Sequence, residues 1–94
     1  MMNDIAIKKR LSRAKEKARI DLAKNGYKII LSDNNIFCFL AVRKKEIRMV
    51  KVVVGDITEE ELRIVREFES PMICTKEIWY RAPHQKDFEI REII

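Results

Sequence analysis

Two glycines, two prolines, two cysteines, one histidine and one tryptophan in 94 residues exclude several classes of protein. With so few glycines and prolines and 47% hydrophobic residues, the chain is too apolar and too poor in breakers to be disordered. Cys38 and Cys74 each sit in an apolar run with no Cys or His neighbour at metal-ligand spacing, so they read as reduced, buried thiols. His84 lies alone in a polar turn and receives no role. No apolar run approaches the roughly 20 residues that span a bilayer. The N-terminal stretch MMNDIAIKKRLSRAKEK also lacks the apolar core of a secretion signal. These absences lead to the expectation of a cytoplasmic protein with no membrane partner. At this length one hydrophobic core is expected, hence a single domain over residues 1–94.

What is abundant is charge, and it is unevenly spread. Residues 1–54 hold 14 Lys/Arg against 5 Asp/Glu, while residues 55–94 hold 6 against 10. The basic half is the candidate surface for a polyanion. A solvated lysine-rich face of the kind enriched in heat-adapted proteins is the alternative.

Ile7, Leu11, Ala14, Ala18 and Leu22 recur at three- and four-residue steps and predict a helix over residues 4–25, stopped by Asn25-Gly26. YKIILS reads as a strand. Residues 36–42 are apolar at nearly every position and read as a central strand covered on both faces. After the charged turn RKKE, residues 47–54 form a third strand, antiparallel to the second. Thr58 and Glu61 make a capping box for a second helix to about residue 69, with Leu62, Val65 and Phe68 buried. A strand over residues 72–75 continues into KEIWYR, the polar turn APHQK follows, and DFEIREI closes the chain as a last strand. The expected fold is α+β: a small mixed sheet in α-β-β-β-α-β order, flanked by two helices.

That order, with AKNGYKIILS, FCFLAVRKKEIRMVKV and EIWYR, resembles the core of the restriction-endonuclease-like superfamily, which carries the PD-(D/E)XK nuclease signature and includes archaeal Holliday-junction resolvases. The resemblance spans about residues 15–81. It implies two carboxylates on adjacent strands holding a divalent metal, with a lysine that neutralises developing charge. In this sequence the Asp position falls on Cys38, the Glu position on Met49 and the Lys position on Lys51. Only the lysine survives. Met49 and Lys51 lie two apart and share a sheet face, which Cys38 and Leu40 are placed to share from the neighbouring strand. Thiol and thioether ligands do not suit Mg²⁺. The family's helix carboxylate corresponds to Glu16 or Asp21. Glu16 points about 160° from the apolar stripe and Asp21 about 60°, which favours Asp21.

The resemblance therefore implies a nuclease-like domain without its metal site and without a cofactor, acting as a nucleic-acid-binding or protein-interaction module. Lys51 is a relic or weak catalytic candidate, and Asp21 a weak one. Arg10, Arg13, Lys17 and Lys24 fall within a sector of about 60° on the first helix, on the rim that borders the DNA cleft in the superfamily. Arg43, Lys44, Lys45 and Arg48 at the hairpin form a second phosphate anchor. Trp79 and Tyr80 either stack on unpaired bases or pack on the sheet. Lys51 can equally be an outward-facing lysine of an edge strand, and Cys38 and Met49 plain core residues. Two other readings remain: an active Mg²⁺-dependent endonuclease with carboxylates relocated to Asp33 and Glu46 beside Lys51, and a structural homodimer. Asp56 reads as an ordinary turn residue.

Overall fold

A computed structural model describes residues 4–32, 36–71, 73–82 and 85–94. Asp33, Asn34, Asn35, Met72, Pro83 and His84, which the sequence places in turns or at a strand start, lie outside the described residues. The elements are α1 (Asp4–Lys24), β1 (Lys28–Leu31), β2 (Phe39–Arg43), β3 (Glu46–Val54), α2 (Glu59–Glu67), β4 (Cys74–Arg81) and β5 (Glu89–Ile93). The strands form one mixed sheet in the order β1-β2-β3-β4-β5, in which only β3 and β4 run parallel. A parallel pair needs a crossover, and α2 supplies it. This is the small α+β fold expected from the sequence.

Local chemistry accounts for the element ends. The amide of Tyr27 donates to the carbonyl of Leu22 at 3.1 Å, and that of Gly26 to Ala23 at 3.0 Å. Gly26 takes the left-handed conformation, φ +88°, that closes such a helix end. At α2 the Thr58 hydroxyl accepts from the Glu61 amide and donates to the Glu61 carboxylate, both at 3.1 Å. This is the capping box read from the sequence. The helix ends two residues earlier than expected, because Phe68 already has extended backbone.

The two sheet faces are covered unequally. Ala14, Ala18 and Leu22 of α1 are buried against Tyr27, Phe39, Ala41, Val50, Val52 and Trp79. The two alanines are fully buried, which lets the helix backbone lie close to the sheet. On the opposite face Val65 of α2, with Leu62 and Phe68, packs on Met49, Val53 and Ile78. The middle strand is β3. The run expected to be central enters the sheet only at Phe39, as an inner strand between β1 and β3.

Candidate nucleic-acid interface

The residues aligned with the nuclease signature do not converge. Met49 packs on the α2 side of the sheet, whereas Cys38 packs on the α1 side. Cys38 sits in a bend one residue before β2, so the two-residue alternation that would have placed it beside Met49 does not extend to it. Its sulfur instead accepts from the Val52 amide at 3.4 Å, and only Leu40 faces Met49 as the sequence suggests. Lys51 points to the α2 side, its side chain 17% exposed, and its Nζ lies 3.7 Å from Glu61. It belongs to the middle strand, which corrects the edge-strand reading.

The candidate carboxylates lie elsewhere. Asp21 is on α1, paired with Lys17 at 3.2 Å, across the sheet from Lys51. Glu46 accepts from the Tyr27 hydroxyl at 2.8 Å and from Arg43 at 3.1 Å, against a tyrosine of the α1-side core. The Tyr27 hydrogen bond, with help from Arg43, holds the Glu46 carboxyl below its usual value. Among the described residues no three His, Cys, Asp or Glu side chains are grouped to hold a metal ion. A thiol and a thioether on opposite faces do not fit the divalent metal of the resembled family.

Of the eight basic candidates, three are committed within the protein. Arg48 donates to both oxygens of Glu77 through Nε, at 3.0 and 2.8 Å. Glu77 also accepts from Thr75 Oγ1 at 2.9 Å and Trp79 Nε1 at 3.0 Å. Burial alone would push the Glu77 carboxyl up. The hydrogen bonds from Arg48, Trp79 and Thr75, and the charge of Arg48, outweigh burial and hold it below the usual carboxylate range. The same pairing raises Arg48 above its ordinary value. Arg43 donates to the Asn25 carbonyl at 3.0 Å and lies over the Tyr27 ring at 4.4 Å. Together with Lys17, held by Asp21, these contacts leave Lys24, Lys44 and Lys45 exposed without an ion pair among the described residues. Lys44 takes the left-handed conformation of the hairpin turn, φ 53°.

Arg10 and Arg13 are different. They line a cavity of about 380 Å³ with Arg81, at the end of β4, and Lys86. No carboxylate lines it, and none of these four cations makes an ion pair among the described residues. A second concavity of about 620 Å³ runs between α1 and the sheet, bounded by Lys17, Lys24, Arg43, Trp79 and Phe88 and also by the carboxylates of Asp21 and Asp87. Phe88 stands between the two cavities: the Arg81 guanidinium lies 6.0 Å from its ring centroid, Lys17 Nζ 5.8 Å and the Trp79 ring 5.3 Å. The two concavities are thus neighbours on the α1 side of β4 and β5, with Arg81 lining the smaller and Phe88 the larger.

No family model, curated protein or solved structure matches the chain. Among the described residues no helix is long and apolar enough to cross a membrane. The sequence reading missed Arg81 and Lys86, since both come from the acidic half. Strand parity held a signal for Arg81: Glu77, Trp79 and Arg81 alternate along β4 and so share the face that α1 covers. Trp79 itself is buried on that face, and Tyr80 is half-buried on the other, beneath Arg91.

Proposed function

We propose that the chain is a nuclease-like scaffold without catalytic acids, which binds nucleic acid through its phosphate backbone in the groove between α1 and β4–β5. One observation carries this reading: Arg10, Arg13, Arg81 and Lys86 share a cavity whose lining, among the described residues, holds no carboxylate, and none of the four makes an ion pair there. Four uncompensated cations in one concavity repel one another and attract a polyanion, and phosphate contacts of this kind bind without reading sequence. The element order, with a middle strand carrying Lys51 and a crossover helix after it, supports the resemblance to the restriction-endonuclease-like superfamily. The separation of Lys51 from Asp21 and Glu46 favours binding over metal-dependent cleavage.

Fluorescence polarisation with duplex, single-stranded and branched DNA tests the proposal. Binding that is lost in R10E/R13E, at an unchanged urea midpoint, supports it; binding unaffected by that double reversal contradicts it.

Self-association through the β1 edge is a second reading, favoured by Ile30 and Leu31, which are 46% and 76% exposed on an outermost strand. Sedimentation at high concentration separates the two: a monomer contradicts this reading and leaves the first intact.

A further inference from the structure

We infer that the Arg10–Arg13–Arg81–Lys86 cavity is a site for a terminal phosphate, the phosphomonoester at the end of a nucleic-acid strand. The inference rests on the groove reading above and narrows its ligand. An internal phosphodiester carries one negative charge, whereas a phosphomonoester carries about −1.5 to −2 at neutral pH with three strong acceptor oxygens. Four cations around one cavity of about 380 Å³ exceed what a single diester neutralises and suit the dianion better.

Arg81 is the anchored member of the set, with the exposed Arg10, Arg13 and Lys86 around it. Arg81 Nε donates to the Gln85 carbonyl at 3.4 Å, and its guanidinium rests 6.0 Å from the Phe88 ring centroid, so the head group is held from two sides. The Gln85 amide donates to the Ala82 carbonyl at 3.2 Å, and Ala82, Gln85 and Lys86 line the cavity together. Arg10 and Arg13 stand three residues apart on α1, hence on one face of the helix. Guanidinium groups offer paired N–H donors matched to phosphate oxygens, and three of the four cations are arginines.

A strand end, rather than a free phosphate, is the ligand because the larger concavity, lined by Phe88, neighbours the cavity at Arg81. There the exposed Lys24, which makes no ion pair among the described residues, can meet a following phosphate, while Lys17 stays with Asp21. The chemistry is the same for either end of the strand.

The test compares one short single-stranded oligonucleotide in three forms: with a 5′-phosphate, with a 3′-phosphate, and with hydroxyls at both ends. The full chain should bind one of the phosphorylated forms roughly tenfold more tightly than the hydroxyl form, since the dianion gains charge-assisted bonds that the hydroxyl lacks. R10Q/R13Q, two exposed helix positions, should remove that preference while keeping the circular-dichroism spectrum. Equal binding of all three forms, with salt dependence retained, overturns the terminal-phosphate site and leaves the groove reading standing. No salt-dependent binding of any form overturns both.

Discussion

Arg48 Nε reaches both carboxylate oxygens of Glu77, 3.0 and 2.8 Å away across the parallel β3–β4 pair. The pairing turns a residue that the sequence offered to a phosphate into a structural one. Glu77 is nearly buried and accepts from three side chains, so removing Arg48 strands a carboxylate with too few donors. R48M and E77Q should each lower the unfolding free energy by about 3 kcal/mol, measured by urea denaturation. A loss below 1 kcal/mol, the usual range for exposed pairs, would mean that the pair is effectively solvated.

The same carboxylate makes stability depend on pH. The folded Glu77 lies below its reference value of 4.5, so its contribution is fully present above that value and is lost as pH falls through the lower folded value. The stability gap between wild type and E77Q should therefore be constant from pH 7 to about 5 and narrow below about 4.5. A gap that widens on acidification would contradict the assignment.

Lys76 is buried, and its Nζ donates to the carbonyls of Val65, Arg66 and Phe68 at 2.8, 2.7 and 3.0 Å. These are C-terminal carbonyls of α2, or lie just beyond it, and the helix itself leaves such groups unpaired. K76M keeps the apolar stem and deletes the donor, and should cost about 2–3 kcal/mol in thermal or urea unfolding. An unchanged midpoint would show that water replaces the lysine there.

Lys51 should matter little. Its partner Glu61 is half exposed at 3.7 Å, a geometry worth about 0–1 kcal/mol, so K51A should shift the urea midpoint only slightly. Plasmid incubated with Mg²⁺ or Mn²⁺ should show no cleavage that K51A removes. Lys51-dependent nicking would restore the relocated-site reading.

The fold was legible because its signals are local: helical spacing in α1, the Asn25-Gly26 stop, the Thr58–Glu61 capping box and the apolar run of β3. The candidate site was legible only in part. Arg10 and Arg13 could be read from the helix pattern, but their cavity partners Arg81 and Lys86 lie in the acidic half and meet them only through the tertiary fold. Arg48 read as a free turn cation because its partner Glu77 stands 29 residues away on another strand. Cys38 was placed on the wrong face because a bend before β2 interrupts the alternation on which the reading depended.

The most direct test of the groove is the salt dependence of its affinity. Binding of a single-stranded oligonucleotide, followed by fluorescence polarisation between roughly 50 and 200 mM salt, gives a slope of log K against log salt that counts phosphate contacts at about 0.7 each. The R10Q/R13Q/R81Q/K86Q variant should bind more weakly and lose about 3 from that slope, with its fold retained by circular dichroism. An identical slope in wild type and variant, or wild-type affinity indifferent to salt, would contradict the account.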